Sequence, residues 1–422
     1  MPPRWLILAD DLTGAADCGI AFARRGREAV VSWQAEAPPS AAVLAIDADS
    51  RGLGPAEAVA RHRALLRRHL APGMRLIKKI DSTLRGQPAA ELRETLAALR
   101  EENDQGPVLA LVAPAFPATG RTVRGGRIHL HGQPLEATPL WAREHRYPSA
   151  DLGAVLAAEG LRARLLPLAA LREDAAGAIG AALAAGIEAL VCDAERPEDL
   201  AILARAGLGV APRLVWTGSG GIAAALADAD GDTDADVGPP GAPSRPRLPP
   251  AGRGLLAVVG SLAEASRAAA AQLAAGGTVR RFALAPARLR DGAAAEGAAI
   301  HAALAAGETV LVEVAAEAGA DLSQGAALAG QLAALLALAA PHLGGLFATG
   351  GETARALLDR LGIAGIRLIE EVEPGVPLGL ALPVRPGGLA IPVVTKAGAF
   401  GSAATIARSL DRLRALRAGD PA

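Results

Sequence analysis

The feature that most limits what this chain can fold into is a repeated order: a short apolar run, a turn, then a helical stretch. Before residue 228 the apolar runs are WLILA (5–9), AVVSW (29–33), AVLAID (42–47), RLIKKI (75–80), VLALVAPAF (108–116), ALVCDAE (189–195) and RLVWTGSGG (213–221). Helical stretches such as Pro55 to His69 and Ala89 to Glu102 lie between several of them. After residue 254 the order returns in LLAVVGSLAEASRAAAAQLAA (255–275), TVLVEVAA (309–316), LGGLFATGGETARALLDRLG (343–362) and LAIPVVTKAGAFGSAATIARSL (389–410). Such alternation predicts a mainly parallel sheet covered by helices. In sheets of that kind ligands sit beyond the carboxyl ends of the strands.

At 422 residues the chain is too long for one ordinary core. Its clearest break is DADGDTDADVGPPGAPSRPRLPPAGRG, which has almost no apolar side chains to bury. The expected architecture is therefore two α/β domains with mainly parallel sheets and an active-site cleft between them. The expected bounds are 1–227, a flexible linker over 228–253, and 254–422. The aspartates of the linker lack the glycine and glutamate that a calcium loop requires. Aromatic residues make up only 2% of the chain, so the cores must be built from Ala, Leu, Val and Ile. That scarcity argues against base stacking, and a net charge of −1 gives no general attraction to nucleic acid or anionic lipid. No apolar run has the length of a membrane span. Cys18 and Cys192 belong to no metal-binding pattern and are expected as small buried side chains. The opening MPPRWLILADD reaches acidic residues too early for a signal peptide, so a cytoplasmic location is expected.

The strand ends carry the chemistry. Asp10, Asp11, Asp47, Asp49, Asp81 and the loop after Val112 are expected to share one rim. Paired carboxylates there are costly unless a cation, a metal or ligand hydroxyls meet them. KKIDSTLRG (78–86) brings two lysines, an aspartate, two hydroxyls and an arginine into one strand-to-helix passage. It could bind a substrate carboxylate, or be a solvated loop whose Ser82 or Thr83 caps the next helix. Arg51 follows two carboxylates in DADSRG. His129 and His131 alone do not make a metal site, and none is expected. In the second half, Gly260-Ser261, Gly350-Gly351-Glu352-Thr353 and Gly398-Ala399-Phe400-Gly401 each open a helix. Glycine at such a turn lets backbone N–H groups approach a phosphate. None of the three is a Walker A loop or a GxGxxG fingerprint.

Seven ordered segments, LADDLTGAAD, DADSRGL, KKIDSTLRG, VAPAFPATGRTVRGG, TGGETA, PGVPLG and VTKAGAFG, resemble the four-carbon acid sugar kinase family. The resemblance implies a sugar-acid domain followed by a nucleotide-binding domain. It also implies ATP-dependent phosphorylation of the terminal hydroxyl of a tetronate such as D-threonate, D-erythronate or 3-oxo-tetronate, with Mg²⁺. Carried over, substrate contacts fall on Asp10, Asp11, Arg51, Lys79, Asp81, Ser82 and Arg85. ATP contacts fall on Ser261, Gly350, Gly351, Glu352, Thr353 and Gly398. The chain departs from the family at Ala16, Gln87, Ala397 and Ala399, where many relatives carry other residues.

On that basis Lys79 and Arg85 are expected to hold the sugar-acid carboxylate, with Asp11 or Asp81 as the catalytic carboxylate on the hydroxyl. Closure would exclude water. Partners are then the sugar acid and ATP, with no nucleic acid or membrane, and homo-oligomers are left open. The alternative is a phosphohydrolase using Asp10 or Asp11 as nucleophile, although Leu12 stands where its second carboxylate belongs. A signalling receiver would leave the three glycine turns without a use.

Overall fold

A computed structural model describes residues 4–34, 41–102, 107–144, 147–210, 214–231, 252–315 and 325–418. Most of the expected linker, 232–251, lies outside them. The chain divides into two compact units, one of residues 1–29 and 37–242, the other of 30–36 and 243–422. Among the described residues no helix is long and apolar enough to cross a membrane.

The strands, in chain order, begin with β1 (Trp5–Ala9), β2 (Ala29–Ser32), β3 (Val43–Asp47), β4 (Arg75–Lys79) and β5 (Leu109–Ala113). A small antiparallel sheet follows from β6 (Arg121–Arg124), β7 (Arg127–Leu130) and β8 (Gln133–Pro134). Next come β9 (Ala163–Leu166), β10 (Ala189–Cys192) and β11 (Leu214–Gly218). The first unit's main sheet runs β3-β1-β4-β11-β5-β10-β9, with every pair parallel. The register aligns Ala9 with both Asp47 and Lys79, and Gly218 with Lys79 and Ala113. The loops after β1, β3, β4, β5 and β11 therefore leave from one edge. The chain passes from β1 to one side and then returns to the other, so a topological switch lies between β1 and β4.

β1 is buried along its whole length, as a strand covered on both faces must be. Each large apolar side chain so buried contributes roughly 1.5–3 kcal/mol. Helix α1 (Leu12–Ala23) is built largely of small residues and is buried at nearly every position. Helices α2 (Pro55–His69) and α3 (Pro88–Glu102) complete the part of this unit that shapes the rim.

The second unit contains β12 (Gly254–Val259), β13 (Arg280–Leu284), β14 (Thr309–Val314), β15 (Leu343–Thr349), β16 (Ile363–Glu373), β17 (Val376–Pro383) and β18 (Pro392–Lys396). Its order is β13-β14-β12-β15-β18-β17-β16-β2. The pairs from β13 to β18 are parallel, and β17, β16 and β2 add an antiparallel edge. Its core joins Leu255, Leu311, Phe347 and Val394 from the sheet to Ile406, Leu410 and Leu413 of the last helix.

Two details differ from the sequence expectation. Helix Gly220–Gly231 continues past residue 227, and Asp230, read as linker, is fully buried. Asp230 accepts from Trp5 Nε1 at 3.0 Å and pairs with Arg27 at 3.1 Å and with Arg75. A strand early in the chain, β2, also pairs with β16 of the second unit, through Val30, Val31 and Ser32. Both follow from long-range partners that local composition does not display.

Candidate active site

The rim of the first unit is assembled at the switch point. Asp11 is the N-cap of α1, accepting from Gly14 N at 2.9 Å and Thr13 Oγ1 at 2.6 Å. Between β3 and α2 the chain folds back, with Ser50 N and Arg51 N donating to the carbonyl of Asp10 at 3.0 and 3.1 Å. Asp49 adopts positive φ in this turn and donates its N–H to Asp47 Oδ1 at 2.7 Å. The fold-back aims Arg51 at both adjacent aspartates. Its Nε and Nη2 donate to Asp10 at 2.7 and 3.1 Å, and its Nη1 and Nη2 to Asp11 at 2.9 and 2.8 Å. Both contacts are two-point forks, the geometry a guanidinium favours with carboxylates. Asp81 Oδ1 lies 3.8 Å from the same guanidinium.

Lys79 Nζ sits beneath, 3.3 Å from Asp10 and 3.5 Å from Asp11. Arg85 forks onto Asp81 at 2.8 and 3.1 Å, while Arg85 N at 3.2 Å and Thr83 Oγ1 also donate to it. Ser82 is buried in the same passage, whose Leu84 holds positive φ. That turn is strained backbone beside the charged cluster. The solvated-loop alternative is overturned: Thr83 turns to Asp81, and α3 starts only at Pro88.

Three carboxylates thus face three cations. For Asp10, burial works upward on the pKa, but Arg51 and Lys79 outweigh it and hold the group below the usual carboxylate range. Burial likewise works against Asp81, which Arg85 and Arg51 keep well below that range. Lys79 is held above its ordinary value: the pull of Asp10 and Asp11 exceeds the effect of burial.

Two supporting residues, His62 and Glu91, carry no sequence signal of their own. Behind the rim, Lys78 Nζ lies 2.8 Å from Glu91, which accepts from Ser50 Oγ at 2.7 Å, with His62 Nε2 at 3.5 Å. All four are fully buried. They link the neighbours of Arg51 and Lys79 to α2 and α3, and only the tertiary fold brings them together. Cys18 and Cys192 are buried, and burial raises both thiol pKa values.

In the second unit, β12, β15 and β18 are neighbours, with Val259 opposite Thr349 and Thr349 opposite Lys396. The three glycine turns therefore leave from adjacent strand ends. Gly260 N donates to Thr349 O at 3.1 Å, and Gly350 N to Lys396 O at 3.3 Å. A Cβ on Gly398 would lie 2.0 Å from Ser261 Oγ, and one on Gly260 would lie 2.0 Å from Thr353 Oγ1. Gly350, at φ +96°, leads into helix Gly351–Arg360, with Glu352 exposed in its first turn. Ser261, Gly350, Gly351, Glu352, Thr353 and Gly398 so form one continuous group at a helix N-terminus, a setting suited to phosphate. Among the described residues no three or more His, Cys, Asp or Glu gather as a metal cage.

A family profile described as "Sugar-binding N-terminal domain" matches residues 5–226, and one described as "Nucleotide-binding C-terminal domain" matches 256–406. A D-threonate kinase of Cupriavidus necator is 44% identical, over 95% of this chain and 96% of that protein. A D-threonate kinase of Bordetella bronchiseptica is 36% identical, over 97% and 98%. A 3-oxo-tetronate kinase of Methylobacterium radiotolerans is 31% identical, over 96% and 98%. In fold, a crystal structure of a Salmonella typhimurium LT2 protein described as a tRNA synthase aligns with a TM-score of 0.77 at 21% identity, covering 96% of this chain and 98% of that one. None of these relatives lends support to the phosphohydrolase alternative. With both halves matched by their profiles and relatives aligned from end to end, the chain belongs to the four-carbon acid sugar kinase family.

Proposed function

We propose that this kinase transfers the γ-phosphoryl group of ATP to the 4-hydroxyl of D-threonate. The observation that carries the class is the balanced cluster of Asp10, Asp11 and Asp81 against Arg51, Lys79 and Arg85. A polyhydroxy acid can enter such a cluster at little electrostatic cost. Its carboxylate replaces an aspartate on a guanidinium, and its hydroxyls donate to the aspartate so released. D-threonate is favoured among tetronates because two relatives of that name, at 44% and 36% identity, align over nearly their whole length.

Arg85 and Arg51 are the more accessible cations, at 29% and 21% side-chain exposure against 6% for Lys79. They are therefore assigned to the substrate carboxylate. Lys79, expected from sequence in that role, instead fixes Asp10 and Asp11 from below. Asp11 is assigned to orient the 4-hydroxyl and accept its proton. Asp81 is assigned to hold Arg85 against the substrate carboxylate, the two being joined by a two-point fork. Ser82 is assigned to a substrate hydroxyl. Phosphoryl transfer relies chiefly on in-line positioning and charge stabilisation, so the aspartate's main task is orientation.

The backbone N–H groups at Ser261, Gly351, Thr353 and Gly398 are assigned to the ATP phosphates, with Gly350, whose own N–H is bonded to Lys396 O, letting the chain approach them closely. Mg²⁺ would be held mainly by phosphate oxygens and water, with Glu352 the exposed carboxylate at that turn. The chemistry it would supply there is to offset the negative charge that develops on transfer. A cytoplasmic, freely soluble enzyme with residues 232–251 as a connecting segment is part of the same proposal.

A coupled ADP-release assay on D-threonate, L-threonate, D-erythronate and 3-oxo-tetronates tests it, with ³¹P NMR locating the new ester. D-threonate should give the highest kcat/KM, and Asp11→Asn should lower kcat by about 10²–10⁴-fold. Preference for another tetronate would overturn the substrate assignment. An Asp11→Asn enzyme within threefold of wild type would overturn the role of Asp11.

A further inference from the structure

Lys396 precedes the last glycine turn, where a lysine would ordinarily be expected to reach a phosphate. Its side chain goes the other way. The ammonium is fully buried and donates to Phe400 O at 2.8 Å, Ser266 Oγ at 2.9 Å, and Ala397 O and Gly398 O at 3.2 Å each. Three protons serve four acceptors, so one proton is shared between the carbonyls of Ala397 and Gly398. Ser266 Oγ also donates to Gly398 O at 2.7 Å and contacts Thr349 Oγ1 at 3.1 Å, next to the Gly350 turn. Phe400 N closes the turn onto Ala397 O at 3.1 Å.

In a trans peptide the C=O and the following N–H point in opposite directions. Carbonyls of Ala397, Gly398 and Phe400 drawn inward therefore direct the N–H groups of Gly398, Ala399 and Gly401 outward. Successive outward amides make a concavity for an anion. We propose that Lys396 is a positioning residue for ATP: its buried ammonium gathers the carbonyls of the last glycine turn and so holds the turn's amides ready for the phosphates. This rests on the assignment of that turn to ATP.

The acceptors of the ammonium are neutral. Burial lowers its pKa to about 8, opposed by Glu373. Glu373 is itself engaged by Thr405, by Ser402 N at 3.2 Å and by Arg408 at 2.8 Å. Lys396 accordingly carries its third proton at neutral pH and loses it as pH rises through about 8. A lone pair then faces a carbonyl, and the turn loosens.

The test uses the full chain with Lys396→Met. Hydrogen exchange of the Phe400 amide, bonded to Ala397 O within the turn, is measured without nucleotide at constant pH, and ATP affinity is measured by calorimetry from pH 7 to 9. The expected result is at least tenfold faster exchange in the variant and at least tenfold weaker ATP binding. Wild-type affinity should fall above pH 8, and the variant's should stay flat. Unchanged nucleotide-free exchange would overturn the proposal, whether or not ATP binding weakens; weakening alone would mean that the ammonium touches phosphate directly. Gly398→Val separates the underlying assignment: if it leaves ATP affinity intact, the turn is not the ATP site. Should Lys396→Met fail to fold, Ser266→Ala replaces it, with about threefold faster exchange expected and no change overturning the proposal.

Discussion

Arg51→Met offers the sharpest test of how the rim is held. The substitution keeps most of the side-chain volume and removes a cation paired with Asp10, Asp11 and Asp81. Four N–H···O bonds of 2.7 to 3.1 Å are lost, and three carboxylates are left with Lys79 and Arg85. Asp10 is 2% exposed, so water cannot replace the lost partner. Removing one member of a buried pair costs about 3–5 kcal/mol. For a unit of this size that corresponds to a fall in Tm of roughly 6–20 °C. The cost depends on pH in a definite direction. In the wild type Arg51 helps depress the Asp10 pKa, so this stabilisation is complete above the ordinary carboxylate range and fades as pH falls through the depressed value. In the variant, burial raises the Asp10 pKa with less opposition, and protonation on acidification relieves the strain. The deficit should be largest near pH 8 and should shrink by about pH 5. Urea unfolding followed by fluorescence of Trp5 and Trp216, both buried in the first unit, reads it directly. Arg51→Lys, which keeps the charge but not the forks, should fall between. A deficit under about 1 kcal/mol at pH 8, the value of a solvent-screened pair, would refute the reasoning. So would a deficit that does not change with pH.

Other perturbations follow from the same geometry. A Cβ on Gly14 would lie 2.2 Å from Lys79 Nζ and 2.6 Å from Asp11 Oδ1, so Gly14→Ala must displace the lysine tip. That tip is buried against Asp10 and Asp11, so Tm should fall and kcat/KM for the sugar acid should drop about tenfold or more in steady-state assays. Asp230→Ala leaves Arg27 and Arg75 without their shared carboxylate and Trp5 Nε1 without its acceptor. It should destabilise the first unit by about 3 kcal/mol or more, measured by urea titration, with the KM for ATP unchanged.

The sequence by itself determined the class of fold and which residue types stand at the strand ends. Strands such as Trp5–Ala9 and Leu343–Thr349 are legible because a strand covered on both faces must be apolar throughout. Each runs straight into a turn whose first residue is polar or glycine, Asp10 in one case and Gly350 in the other. What sequence left dark is strand pairing through non-apolar segments. Ile363–Glu373 mixes charged and apolar residues, and Ala163–Leu166 is a largely exposed edge. Neither has the continuous apolar run of a central strand.

Tertiary structure alone decided which charges meet. Arg51 reaches Asp10 and Asp11 because a turn between β3 and α2 folds back on a backbone carbonyl, across some 40 residues of sequence separation. Lys79 is expected from sequence to meet the substrate carboxylate, and Lys396 likewise stands at a strand end beside a glycine turn. Lys79 lies beneath two aspartates, and Lys396 turns into its own loop. The physical reason is the same in each case. Residue type fixes what a side chain can bond to, but a buried charge bonds to whatever carboxylates or carbonyls the fold brings within about 3 Å of it, and that depends on the packing of strands far apart in the chain.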